Sequence, residues 1–199
     1  MDFKSIIEKI ISLKNADLEL RDQLIRSGEL GNGYHKEMQA LHHKNAEILE
    51  EIIDHIGYPA TEKVGTEASE AAWLVIQHAI GSPDFMRKCL KLLENSVSKT
   101  KVETINMAYL SDRIAVFEGR PQLYGTQFDW DENGQLSPNP CDHPDQVNER
   151  RIVLGLNLLE EQTRIIRNRA RKENRYPPED LKQRNEEMQA WKKSVGWIS

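Results

Sequence analysis

Ala71-Ala72-Trp73-Leu74-Val75-Ile76-Gln77-His78-Ala79 decides how the chain reads as a fold. Coiled at about 3.6 residues per turn, Ala71 to Ile76 are apolar on nearly every side, so this helix is expected to be the most buried one. Thr66 is the expected cap at its start. Its last turn differs. Trp73 and Gln77 are four apart and share a face, with His78 roughly one hundred degrees round the helix. A glutamine and a histidine in such surroundings cost free energy unless both are hydrogen-bonded.

Outward from this segment the helical period continues in both directions. Ile6, Ile10, Leu13, Leu24 and their apolar neighbours predict a long amphipathic helix over about the first 27 residues, ended by Gly28, Gly31 and Gly33. A second helix is predicted from Tyr34 to Ile56, and the short glycine-rich link suggests an antiparallel hairpin of helices. Gly57-Tyr58-Pro59 breaks the pattern. Ser82-Pro83-Asp84 starts a fourth helix with a hydroxyl, a proline and an acid in the favoured order. Thr100 and Glu103 have the spacing of a capping box, opening a fifth helix that reaches Glu118 and stops at Gly119.

From Arg120 to Pro140 the period disappears, and Asn133-Gly134 marks a small hairpin or ordered loop. Asp142-His143-Pro144 begins another helix, Asn157 is the expected cap of the next, and Tyr176-Pro177-Pro178 precedes a last one ending near Gly196. The expected fold is mainly α, an irregular helical bundle with a small β-hairpin or ordered loop near residues 122–137. Residues 1–160 are read as one helical domain and 161–199 as a charged helical extension.

Composition narrows the function. With 38% hydrophobic and 30% charged residues over 199 positions, the chain can bury a core without disulfides or metal. A net charge of −5 makes nucleic acid an unexpected partner, because phosphate binding needs a clustered positive field. One exception is the stretch from Thr163 to Arg175, with six basic residues against one acid. Arg164, Arg167, Arg171 and Arg175 share a face that suits RNA or an acidic protein, although a solvated helix face is the simpler account. Cys89 and Cys141 read as reduced thiols of a cytoplasmic protein. No signal peptide or membrane span is expected.

Several residues carry candidate chemistry. His78 reads either as a general acid or base facing a pocket, or as a core histidine satisfied by a carbonyl or by Asp112. Arg113 offers its planar fork to an anionic ligand or to a structural acid. Arg120-Pro121-Gln122-Leu123-Tyr124-Gly125-Thr126-Gln127-Phe128 gathers amides, a phenol and a guanidinium around one glycine in a non-helical stretch, which core packing explains poorly. Arg150-Arg151 adds positive charge. His42, His43 and Glu47 have the spacing of a metal pair, but no third ligand is evident and a solvent-facing run is the simpler reading. No P-loop, dinucleotide fingerprint, nucleophile elbow, zincin motif or zinc-spaced cysteine set occurs. No metal or other cofactor is therefore expected.

These residues resemble a bacterial family known as a domain of unknown function. The resemblance rests on the Asn45 helix, on Gly57-Tyr58-Pro59 where the family favours Gly-Trp-Pro, and on Val64-Gly65. It continues through the Trp73 to His78 helix, Ala108-Tyr109-Leu110-Ser111-Asp112-Arg113, the Gly119 to Gln127 loop, and Arg150-Arg151 before Gly155-Leu156. It covers roughly residues 40 to 160, and His42 stands where the family has an aspartate. The resemblance implies a shared polar cluster and a pocket.

Two functions follow. In the first, His78 is the acid–base group of a small-molecule site, Arg113 and Arg150 neutralise an anionic group, and Gln77, Gln122, Tyr124 and Gln127 orient the ligand. In the second, the polar residues lock an irregular loop onto a helical bundle, and the protein is a non-catalytic interaction or regulatory module. Apolar residues near the C-terminus, Trp191, Val195, Trp197 and Ile198, must dock on the core or on a second copy, which makes a homo-oligomer through the terminal helices a candidate assembly.

Overall fold

A computed structural model describes residues 2–29, 34–95 and 100–199. The fold is mainly helical, with eight α-helices and one two-stranded antiparallel hairpin among the described residues. Two compact units divide the chain, Met1–Val97 and Ser98–Ser199. The boundary expected near residue 160 falls inside the second of these.

The first unit is four helices: α1 (Phe3–Ser27), α2 (Lys36–Ile56), α3 (Thr61–His78) and α4 (Pro83–Glu94). Asp2 caps α1 by accepting from the Ser5 amide at 2.9 Å, and Gly28 ends it. Gly31 and Gly33, the other expected stops, lie outside the described residues. The main partner of α1 is α3, with α2 in a smaller contact. Ala68, Ala71 and Ala72 explain this preference. All three are buried, and their short side chains let two backbones approach. Ile6, Ile10 and Leu13 are the buried apolar residues of the first half of α1, each worth about 1.5–3 kcal/mol when fully buried.

Two helix starts differ from expectation. Helix α3 begins at Thr61, with Ala60 at the cap position, and breaks at Gly65, whose φ of 79° and ψ of 165° suit glycine alone. Thr66 therefore opens the longer segment past the kink, which carries Trp73 to His78, and not the element as a whole. Ser82 does precede α4, but its hydroxyl makes no cap and lies 3.1 Å from His43 Nδ1. Pro83 and the Asp84 charge are left to start that helix.

The second unit opens with α5 (Lys101–Phe117) and its capping box. The Glu103 amide donates to Thr100 Oγ1 at 3.1 Å, and the Thr100 amide donates to Glu103 Oε2 at 2.9 Å. An ordered loop leads to β1 (Phe128–Trp130) and β2 (Leu136–Pro138), paired in the register Phe128 to Pro138 and Trp130 to Leu136. The Asp131 carboxylate organises their turn, taking the Asn133 and Gln135 amides at 2.9 Å each and the Ser137 hydroxyl at 2.7 Å. A single 3-10 turn at Pro144–Gln146 leads into α6 (Val147–Val153), followed by α7 (Leu159–Lys172) and α8 (Leu181–Val195).

Asn157 does not cap α7. Leu158 holds the cap position, and the Leu159 amide donates instead to Asn148 Oδ1 at 2.8 Å. The apolar residues of the tail dock within their own unit. Trp197 is buried and stacks on Phe117 with ring centroids 5.1 Å apart, while Trp191 meets the same ring edge-on. Lys192 Nζ donates to the Val116 carbonyl at 2.9 Å and completes the contact.

Candidate functional site

Ile6, Ile10, Leu13, Asp17 and Leu24 form the buried stripe of α1. One member of that stripe is an acid, and Asp17 is fully buried. An isolated carboxylate there would cost several kcal/mol, so the site depends on its partners. They come from the two neighbouring helices. His78 Nδ1, at the end of α3, lies 2.8 Å from Asp17 Oδ2. His42 Nε2, from α2, lies 2.9 Å from the same oxygen.

Tyr34 completes the group. Its Oη is 2.6 Å from His42 Nδ1 and 3.4 Å from the His78 carbonyl oxygen, and its ring stacks on His42. The centre is closed at one end and open at the other. Asp17 is shut away from solvent, the His42 side chain is 9% exposed, and the His78 side chain is 33% exposed. One turn along α1, Asn45 Nδ2 donates to the Leu13 carbonyl at 3.1 Å and pins α2 to α1.

Electrostatics keep the acid ionised. Burial pushes the Asp17 carboxyl up, but the two imidazoles beside it outweigh burial, His78 through its hydrogen bond and His42 through its closeness, and the group is held down at about 2. Burial, and then the Asp17 charge, drive the Tyr34 phenol well above its ordinary range. Tyr34 is thus a neutral hydroxyl, able to donate and to accept. Two buried atoms are left over: Asp17 Oδ1 and His42 Nε2 have no hydrogen-bond partner among the described residues. The nitrogen is near Oδ2 but out of line for a hydrogen bond.

The second unit holds a different arrangement. The Asp112 carboxylate, on α5, accepts from the amides of Leu123 at 2.8 Å, Tyr124 at 3.1 Å and Thr126 at 2.9 Å, and from the Thr126 hydroxyl at 2.9 Å. Gln122 is equally committed. Its side-chain amide donates to the Gln127 and Asn139 carbonyls and accepts from the Gln127 amide. Arg151 is fully buried, and its guanidinium donates to the carbonyls of Asn157, Tyr124 and Gly125. Gly125 is required where it stands. Its φ is 62°, and a Cβ there would lie 2.7 Å from Leu159 Cδ1.

The residues singled out from sequence thus divide between the units. Gln77 and His78 end α3 in the first. Arg113, Gln122, Tyr124, Gln127 and Arg150 belong to the second. There Arg113 Nε donates to Gln127 Oε1 at 3.1 Å, and Arg150 donates to the Asp142 and His143 carbonyls. The acid that takes His78 is Asp17, whereas Asp112 is spent on the loop. His43 and Glu47 match the solvent-facing reading of the run, both exposed and 3.3 Å apart. His42 is buried, and its third companion comes from α1.

Arg167 also has a structural task, donating to the Leu136 carbonyl at 2.8 Å and to Ser137 Oγ at 2.9 Å. Beside it, Trp130, Leu136, Arg171, Tyr176 and Pro177 line a cavity of about 370 Å³. That cavity includes none of Asp17, His42 or His78, and the polar chemistry of those three outranks its size as a guide to function.

Fold and centre together define a class, a helical protein with an Asp–His–His cluster buried in a four-helix unit. The chain belongs to the Family of unknown function (DUF6624), which it matches over residues 5–172. That span takes in α1 with Asp17, and it leaves α8 outside. No curated protein and no solved structure matches the chain. Among the described residues, no helix is long and apolar enough to cross a membrane.

Proposed function

We propose that the first unit carries a small-molecule site whose working group is His78, held by Asp17 and flanked by Gln77. One observation carries this reading. A fully buried carboxylate grips an imidazole whose own side chain is one-third exposed, so buried charge is coupled to an accessible ring. Asp17 fixes the orientation of that ring as a second carboxylate does for many catalytic histidines, and His78 then serves as acid, base or hydrogen-bond donor to a bound ligand.

The second unit favours the structural reading. Gln122, Gln127, Arg113 and Arg150 hydrogen-bond to one another or to backbone of the second unit, with Gln127 reaching the Tyr109 carbonyl on α5. We assign these residues, with Asp112 and Arg151, to locking that loop. The two free cysteines, Cys89 and Cys141, suit the reducing cytoplasm.

A thermal-shift screen of nucleotides, sugar phosphates, amino acids and acyl acids tests the site, run on wild type and on His78→Gln. A ligand at one hundred times its dissociation constant stabilises by about 2.7 kcal/mol. For a chain of this length that is roughly 5–11 °C. The expected result is a shift present in wild type and lost in the folded variant. Shifts that survive His78→Gln, or no shift across the panel, would sink the reading.

A further inference from the structure

We propose that Asp17, His42 and His78 form a three-ligand site for a divalent transition-metal ion, bound by the Asp17 carboxylate, His42 Nε2 and His78 Nδ1. The inference rests on the cluster being the functional site of the first unit and names the cofactor that site would take.

Geometry is the first support. One donor atom from each residue falls within 4.8 Å of the other two. Ligands about 2.0–2.1 Å from a shared ion stand about 3.3 Å apart in a tetrahedral site and about 2.9 Å apart at the right angles of a six-coordinate one. The Asp17 oxygen is 2.8 Å from one nitrogen and 2.9 Å from the other, so both edges already have the shorter length. The third pair, His42 Nε2 and His78 Nδ1, lies within 4.8 Å and must close for one ion to reach all three donors.

The unspent atoms are the second support. Asp17 Oδ1 and His42 Nε2 are buried without a hydrogen-bond partner among the described residues, and both belong to this cluster. Buried polar atoms are normally paired, and a cation would satisfy the His42 nitrogen directly and Asp17 Oδ1 as well when the carboxylate binds through both oxygens. The outer contacts also fit. A metal-bound His42 donates its other proton from Nδ1, and Tyr34 Oη is 2.6 Å away to accept it. Tyr34 can then donate its own hydroxyl hydrogen bond to the His78 carbonyl, 3.4 Å distant. Such outer partners fix the tautomer and raise the basicity of a ligating imidazole.

Ligand type sets the metal class. Two imidazoles and one carboxylate favour zinc and its first-row neighbours over magnesium or calcium, which prefer oxygen throughout. The donors sit on three packed helices, which holds them in place without the ion. A bound ion would polarise a water or a ligand group coordinated to it.

Equilibrium dialysis of the untagged full chain against Zn(II), and visible spectroscopy with Co(II), test the site. Expected are one ion per chain and a Co(II) spectrum of low-symmetry nitrogen–oxygen coordination. His78→Gln should weaken binding at least 100-fold, and Tyr34→Phe about 10–100-fold. His43→Ala, at an exposed neighbour, should leave binding unchanged. Asp17→Asn is the harsher variant, and His78→Gln decides the matter if the former does not fold. Absence of stoichiometric binding, or equal affinity in His78→Gln and wild type, overturns the proposal. Repeating the ligand screen with and without Zn(II) separates it from the broader reading. Hits that need His78 in a protein that binds no metal leave the small-molecule site standing alone. Tight metal without any ligand hit does the reverse.

Discussion

Asp17 and Asp112 are two buried acids with opposite solutions to the same cost. Asp112 is saturated by three amides and a hydroxyl, and its loop closes around it. Asp17 meets side chains alone and keeps one oxygen unpaired. The first arrangement is what a structural acid needs, and the second leaves capacity for chemistry. Asp112→Ala should strand three part-buried amides, each costing up to about 1–3 kcal/mol. Amide hydrogen exchange is the direct check: Leu123, Tyr124 and Thr126 should lose protection in the variant. Unchanged protection at all three would mean that the loop holds without its acid.

The Asp112 loop also shows how far residue-level reading goes. Its density of amides and hydroxyls was visible, because core packing has little use for them. Their partners were not, since the same groups that could face a ligand were consumed by backbone up to eighteen positions away. Asp17 was legible in a weaker sense. An acid four residues after Leu13 and seven before Leu24 interrupts an apolar stripe. Its partner His78 is 61 residues distant, a pairing that no local pattern encodes.

At the scale of elements, local chemistry read out well where the chain satisfies its own ends. The Thr100 capping box, the Gly28 and Gly196 stops and the Asn133-Gly134 turn use atoms within a few residues of each other. The misses have a common cause. Ser82 turns to His43, and the start of α7 is served by Asn148, eleven positions upstream. Asn148 also places its side-chain amide on Glu160, at 3.1 Å from Oε2, and so links α6 to the first turn of α7. Asn148→Ala should cost about 1 kcal/mol, as loss of an ordinary cap does. Chemical denaturation checks this, and Asn157→Ala is the comparison. Equal losses in both variants would return the capping role to Asn157.

For the molecule as a whole, α8 is the element to remove. It lies beyond the family match, yet it brings Trp191 and Trp197 onto Phe117. A chain ending at Lys172 would leave that ring uncovered. The expected outcome is a lower melting temperature and self-association on gel filtration, since an apolar surface opened to water seeks another cover. An unchanged melting temperature and elution volume would show that the tail contributes nothing to the second unit.

Helix α1 raises a question of alignment. Isoleucines and leucines along its stripe are nearly interchangeable, so a slide by one turn against its neighbours would still cover most of the apolar surface. Asp17 forbids the slide. In any other setting its charge would be pressed against hydrocarbon and His42 and His78 would lose their acid, while Asn45 would lose the Leu13 carbonyl. The cluster is thus an indexing pin as well as a candidate reactive centre, and a mutation that made it uniformly greasy would be expected to yield a bundle that is well buried and ambiguous in register.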